Sequence, residues 1–386
     1  MWSVLRIRMC KKMKPLNIYF MKCSQNHRIR TASVVKEAFS RLRVSSSLLV
    51  FLIAVISLFQ SAPATAQQVS PFQTGHYMTS FANVRDYGKM SAGLFIIPYN
   101  YYGWGNSYAD RDGQKHSSIF LQDIDPGLPN AELTVNVNAF ATVPAFFWGS
   151  KFTLLGGATY VAGITPSYSW SNVLVVAKLG VSILDTVFTE NAEAKLSGFA
   201  DLNVIPFGLS WGGKHFDATF YYAFTAPTGR YETGADDNIG LGFWTHQFQG
   251  FGYWYPDVSQ ATALMLGLTY EANTKIKGEE LNPGDRLSLE WGLSQYLSER
   301  FELNVIGGHN WQIVDDKGDD VFWDASYHDR KSTVAFGIAY WAVKERLYIS
   351  GKYMFDYGAR QRFLTNGIML NLIFVTNALD GVKSNK

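Results

Sequence analysis

The chain has 386 residues, 47% of them hydrophobic and 15% aromatic, with 34 Lys and Arg against 32 Asp and Glu. Eleven of the basic residues, Arg6 to Arg43, and a single acid, Glu37, lie in the first 66 positions, so the remainder carries 23 basic and 31 acidic side chains, a formal charge of −8. That balance excludes a basic nucleic-acid footprint; both cysteines, Cys10 and Cys23, also fall in the first 66 residues, which excludes a disulfide framework, thiol catalysis and cysteine-based metal sites beyond them.

Residues 1–66 read as a signal peptide and leader. The apolar run Leu48–Phe59 follows Arg41 and Arg43 and precedes Ala64-Thr65-Ala66, with Ala64 and Ala66 as the small residues of the cleavage site. The run is shorter than the roughly 20 residues a membrane-crossing helix needs. Its basic approach is long for such a leader, so translation is expected to begin further in, at Met21 or near Val34. Residues 67–90, "QQVSPFQTGHYMTSFANVRDYGKM", then form either a periplasmic N-terminal segment or a plug that enters a lumen.

From residue 91 the hydrophobicity alternates with a period of two in segment after segment. In "ELTVNVNAFATVPAF", Leu133, Val135, Val137, Ala139, Ala141 and Val143 share one face, and Thr134, Asn136, Asn138, Phe140 and Thr142 the other. Strands are expected at 91–103, 131–147, 151–165, 198–211, 215–226, 243–255, 261–273, 285–297, 300–314, 331–343, 346–357 and 362–375. Globular strands usually stop at about 5–6 residues, and these do not. Short connections (148–150, 212–214, 256–260, 298–299, 344–345) alternate with long ones (104–130, 166–197, 227–242, 274–284, 315–330), 358–361 being a short exception. Such alternation is the pattern of a transmembrane barrel, with short periplasmic turns and longer extracellular loops. The edges must then close, because an unpaired amide in hydrocarbon costs several kcal/mol.

The expected fold is therefore all-β, a transmembrane antiparallel up-and-down barrel of about 12 strands over 91–375, with a C-terminal tail at 376–386. Residues 166–197, with "SNVLVVAKLGVSILDTVF", are read as a loop carrying a helical or irregular constriction, the alternative being two further strands and a total of 14. The many aromatics near strand ends, such as Tyr99, Tyr101, Tyr102, Trp104, Tyr253 and Trp254, suit interfacial girdles. The last strand offers Thr365, Gly367, Leu370, Leu372 and Phe374 as the terminal signal for the barrel assembly machinery, although 12 residues follow that Phe.

Candidate chemistry is sparse. "APTGRY" places Arg230 and Tyr231 where a strand enters a long loop; with Asp236, Asp237 and Asn238 they are candidate pore or loop-mouth residues. "DDKGDD" (315–320) is an acidic loop without the spacing of a calcium-binding EF-hand. Histidines 76, 116, 215, 246, 309 and 328 stand singly, with no metal-binding pair. No cofactor or metal is expected, and no enzyme; a hydrolase of phospholipase type would need a His–Ser pair on the lipid-facing surface, for which His246 and His309 are strand candidates.

Six motifs in order, "PFQTGHY", "YNYYGWGNSYADRDGQ", "GFADLNVIPFGLSW", "APTGRYETGADDNIGLGFW", "YEANTKIKGEELNPGD" and "GHNWQIVDDKGDD", resemble the meta-pathway of phenol degradation family of Gram-negative outer-membrane proteins. The resemblance covers most of residues 71–375. It departs from the family at "GFAD", where G-L-G-D is usual, and at "NTKIKG", which has no Tyr before its glycine. It implies an outer-membrane channel for small hydrophobic or aromatic solutes, with membrane lipid, lipopolysaccharide and the assembly machinery as partners. A general small-solute porin is the alternative, and an outer-membrane hydrolase a more distant one.

Overall fold

The computed structural model describes residues 75–120, 131–181, 186–235, 237–321 and 323–375. The expected leader, its cleavage site at Ala64 and Ala66, Asp236 and the C-terminal tail lie outside them. Among the described residues there is no helix, and every element is a strand: β1 Gly93–Ala109, β2 Lys115–His116, β3 Ile119–Phe120, β4 Ala131–Leu154, β5 Ala158–Thr165, β6 Tyr168–Val181, β7 Thr186–Phe199, β8 Leu202–Gly212, β9 Phe216–Ala226, β10 Thr245–Trp254, β11 Thr262–Asn273, β12 Arg286–Tyr296, β13 Phe301–Gln312, β14 Arg330–Val343, β15 Leu347–Arg360 and β16 Arg362–Val375.

Antiparallel pairing runs from β1 through β16 and back along the chain to β8, then β5 and β4. β4 returns to β1 over Gly93↔Gly149 to Gly105↔Val137, which closes the wall. Twelve strands take part in the closed ring (β1, β4, β5 and β8 to β16), and no edge amide is left to the bilayer along it. The alternation fixes which side chains meet lipid. Leu264, Leu266 and Leu268 of β11 are exposed, as are Phe336 and Ile338 of β14 and Leu370, Leu372 and Phe374 of β16. Between them Thr269, Glu271, Ser288, Glu290, Ser294, Glu302, Lys352 and Asn371 are buried in the interior. Apolar outside and polar inside is the distribution expected of a chain solvated by lipid.

The 166–197 reading is corrected. Instead of a constricting loop, β6 and β7 form a hairpin that pairs with the upper half of β4, Ala131↔Leu179 to Thr142↔Tyr168. β5 and β6 are thus two parts of one line beside the 24-residue β4, and β7 and β8 likewise. The hairpin prolongs two wall lines, those of β5 and β8, beside the upper half of β4 and adds none to the circumference, so the count stays at 12. Val173 to Val176 are apolar on both alternating faces, which hides the period of two in the sequence.

Two belts of aromatics bracket the wall. At the long-loop end the Tyr102 ring lies 5.7 Å from Trp104, Trp104 lies 6.3 Å from Tyr353, and Phe140 lies 5.4 Å from Trp170. At the short-turn end Trp148, Phe152, Tyr160 and Phe207 form a chain of ring contacts 6.0–6.5 Å apart. Amphipathic rings at both levels mark the two interfaces.

Candidate functional site

Residues 75–92 run down the lumen from the long-loop end to the short-turn end. At the top, Gly75 adopts φ +53° against Arg286, where a Cβ would sit 2.7 Å from Cδ. Glu271 accepts the backbone N–H groups of His76 and Tyr77 at 3.0 and 2.8 Å. Glu290 accepts from the Tyr77 hydroxyl and the Ser80 amide. In the middle, the Lys352 ammonium donates to the carbonyls of Ser80, Phe81 and Ala82 at 2.6, 2.7 and 2.7 Å. Asn83 accepts from Ser350 and Asn371, and Asp86 accepts the Tyr99 hydroxyl at 2.7 Å. Lower down, Tyr87 stacks on Phe251 with centroids 3.7 Å apart, and Arg85 donates to Ser294 and the Ala261 carbonyl. Asp217 and Ser210 take the amides of Lys89 and Met90. A segment without regular structure can be buried only if its backbone groups are satisfied this way. The partners come from the lumen faces all round the ring, with the carboxylates of β9, β11 and β12 and the ammonium of β15 the charged ones among them.

The opposite side of the lumen is different. The lumen face of β4 is Ala139, Ala141, Val143, Ala145 and Phe147, so the apolar face of its alternation looks inward, and Asn138, Phe140, Thr142 and Pro144 look outward. Between this wall and the threaded segment lies a cavity of about 400 Å³. Its apolar part is made by Val143, Ala145, Phe147, Ile205, Tyr221 and Met90. Its polar part, towards the long-loop end, is made by Thr165, Asn203, Thr225, Gln247 and Gln249. The amides are tied to each other, Asn203 and Gln249 both donating to the Gln247 carbonyl oxygen at 3.1 Å. A cleft of this size, largely apolar with a few placed polar groups, suits a small organic solute.

The roof of the cavity is cross-linked. The two ring nitrogens of His76 contact Thr245 Oγ1 at 2.7 Å and Asp201 Oδ2 at 3.0 Å. Asp201 also accepts the amides of Gly229 and Leu241, so one carboxylate gathers the threaded segment and the loop between β9 and β10. Beside it Arg286 and Arg362 converge on buried Asp329, with Asn310 Oδ1 accepting from both. These contacts join residues 125 to 195 positions apart in the case of His76, and no local motif signals them.

The cavity meets the wall at a row of prolines. Pro98 pairs with Pro144. The register that sets Phe146 against Ile164 and Thr142 against Tyr168 brings Pro166 opposite Pro144. Two neighbouring strands and the break between β5 and β6 therefore lack an N–H at one level, which thins the ladder there. Val143, Ala145, Thr165 and Ser167, the neighbours of these prolines, line the cavity.

The sequence-derived candidates lie elsewhere. Arg230 donates from Nε and Nη2 to the Asp237 carbonyl at 2.9 and 2.7 Å and pairs with the Asp237 carboxylate at 3.0 Å, all within its own exposed loop. Asn238 closes the same loop on Glu232, and Tyr231 donates to Glu279 of the next one. None of the four lines the cavity; Asp236 is outside the described residues. Thr365 bonds to Asp356, Gly367 faces the lumen against the Tyr101 ring, and Leu370, Leu372 and Phe374 face lipid. His246 contacts Tyr222, whereas His309 Nδ1 lies 2.8 Å from Ser332 Oγ on the outer face. That pair has the spacing of a hydrolase dyad. Among the described residues, however, no carboxylate or amide holds the other ring nitrogen, and the ring lies along Trp311 at 5.6 Å.

Comparison with known proteins bears on the same region. A family model described as "Putative MetA-pathway of phenol degradation" matches residues 109–372. The fold is similar to that of the COG4313 outer membrane channel from Pseudomonas putida F1, at 15% identity and a TM-score of 0.51, over 75% of this chain and 97% of that one. Likeness also extends to the translocator domain of the autotransporter NalP from Neisseria meningitidis, at 12% identity and a TM-score of 0.39, over 76% of this chain and 92% of that one. A Pseudomonas aeruginosa FadL homologue is similar at 10% identity and a TM-score of 0.32, over 81% and 98% of the two chains. No curated protein matches.

Proposed function

The chain belongs to the MetA-pathway of phenol degradation family, and from that premise we propose that this outer-membrane barrel is a channel for passive passage of small hydrophobic or aromatic compounds. The observation that carries the reading is the continuous apolar inner face of β4 and its extension. Val137, Ala139 and Ala141 lead into Val143, Ala145 and Phe147 at the cavity, flanked by Val175 and Leu196 of β6 and β7. A solute leaving water is drawn along such a surface by about 25 cal/mol for each Å² of apolar area it buries. The amides at the cavity top orient a single polar group. The proline row offers the thinnest part of the wall beside the bound solute, and thus a route into the bilayer.

The porin alternative needs an open aqueous lumen with rows of opposed charge. The lumen carboxylates Glu271 and Glu290 are instead engaged by the threaded segment. The test is uptake of a labelled small aromatic by cells with and without the chain, alongside Val143→Asp, which puts a charge on the apolar path. Uptake is expected to fall about tenfold in the variant with ion conductance unchanged. Equal uptake with and without the chain refutes the reading, and faster liposome swelling with sugars than with aromatics favours the porin.

A further inference from the structure

The wall forks on its outer rim. β1 and β4 stay paired up to Gly105↔Val137 and then part, β1 continuing with β2 and β4 with β3. A bulge in β1 between Trp104 and Ser107 accompanies the split. In the crotch is a second cavity of about 290 Å³, separate from the lumen cavity. Asn106, Asn136, Asn138 and Asn366 surround it, with Trp104 on its membrane side and Lys115 at its mouth. Trp104, Asn138 and Asn366 project outward, because they alternate with the lumen-facing Gly103, Ala139 and Gly367. Its floor is the Asp356 carboxylate, already saturated by Lys331 at 2.9 Å, Thr333 at 2.7 Å and Thr365 at 2.9 and 2.6 Å.

Three features define what fits. The floor is neutralised, so exposed Lys115 leaves the cavity with a positive charge. Asn106 and Asn136 each present a donor and an acceptor side by side, and Asn138 and Asn366, whose Oδ1 atoms accept from the Tyr102 and Tyr353 hydroxyls at 3.3 and 3.0 Å, add amide donors, which together match neighbouring sugar hydroxyls. Among the described residues no side-chain hydrogen bond or ion pair engages Lys115, Asn106 or Asn136. The site begins where the aromatic belt of Tyr102, Trp104 and Tyr353 ends, which is head-group level. We propose that this fork binds a phosphorylated sugar, supplied by the head group of outer-leaflet lipopolysaccharide. Lys115 meets the phosphate, the asparagines meet the hydroxyls and Trp104 covers the apolar face of the ring.

The test titrates the purified full chain in detergent with three probes: lipopolysaccharide carrying phosphorylated core sugars, the same lipid after dephosphorylation, and glucose 6-phosphate. Bound ligand is read by native mass spectrometry, and heat-modifiable gel mobility confirms that each variant is folded. Lys115→Gln and the double variant Asn136→Ala with Asn138→Ala are each expected to weaken binding of the phosphorylated lipid about tenfold. Lys344→Gln, in a turn at the opposite end of the barrel, should bind as wild type. Wild-type binding by both fork variants overturns the proposal, as does equal binding of the dephosphorylated lipid. Binding of glucose 6-phosphate with the same variant dependence, without binding of the lipid, supports the sugar-phosphate chemistry and assigns its source to a soluble sugar.

Discussion

Lys352 directs three N–H donors at three consecutive carbonyls, a geometry that a compact ammonium can provide and a planar guanidinium cannot. Its replacement leaves those carbonyls without a partner in a buried site, at about 1–3 kcal/mol each. Lys352→Met is therefore predicted to lower the melting temperature by several degrees and to raise conductance in planar bilayers, since residues 80–82 lose their anchor; Lys352→Arg should recover little. Unchanged melting and conductance would show that the anchor is dispensable. A second prediction concerns the turn between β10 and β11. Donation from the Ser259 hydroxyl, with the Ala261 and Thr262 amides at 3.0 and 3.1 Å, pulls the exposed Asp257 carboxyl down to about 2. A carboxyl with a folded value below its unfolded value near 4 contributes fully above about pH 4, and the contribution fades as pH falls towards 2. Asp257→Asn should melt below wild type at pH 7, and the two should converge below pH 2 in a thermal scan.

The hairpin of β6 and β7 is an element whose contribution can be separated from that of the ring. Ser167 O accepts the Ala200 amide at 3.0 Å, so the two ends of the hairpin already lie side by side. Excision of residues 168–199 with a tight turn joining Ser167 to Ala200 should leave the 12 ring strands paired and the protein heat-modifiable on gels. Uptake of a hydrophobic solute should drop several-fold, because the apolar face above the cavity is shortened while the cavity remains. An excised protein that transports at the wild-type rate would remove the extension from the route. The opposite faces of the hairpin agree with this division. Glu193, Lys195 and Ser197 are exposed outward, and Ala194 and Leu196 are half-buried inward.

At the scale of the whole molecule, closure and obstruction are separate achievements. Closure rests on strand pairing alone, whereas residues 75–92 fill the lumen through contacts with side chains that already face it. Deletion of residues 76–90 should leave a closed barrel with a wider path, read as a large rise in bilayer conductance and a lower melting temperature. The fall in stability follows from Glu271, Glu290 and Asp217, which would lose their amide partners inside the barrel. Unaltered conductance would mean that the segment does not limit the path.

Much of this architecture is legible in individual segments. Arg286–Tyr296 and Thr262–Asn273 fall within a residue or two of the spans expected from alternation, because Leu287, Leu289, Trp291 and Leu293 in one and Leu264, Leu266, Leu268 and Tyr270 in the other put a large apolar or aromatic side chain at every second position. The hairpin was legible only as the alternative of two further strands, since Val173–Val176 is apolar on both faces and an apolar run without a period suits a helix or a strand. Arg230 drew attention as a charged residue at a loop mouth, yet its guanidinium is used within its own loop. The residues that line the cavity, such as Val143 and Ile205, are ordinary strand positions that nothing local distinguishes.

The sequence by itself determined a closed antiparallel β-wall of about 12 strands, because long alternating strands in lipid tolerate no unpaired edge and short and long connections alternate along the chain; that β6 and β7 add nothing to the circumference was settled by their pairing. Only the tertiary structure decided which face of β4 looks inward, that the row of prolines borders the cavity, and that residues 75–92 thread the lumen. Each of these depends on partners far apart in the chain, such as Lys352 with Ser80, and a period of two is the same whichever face is turned to the inside.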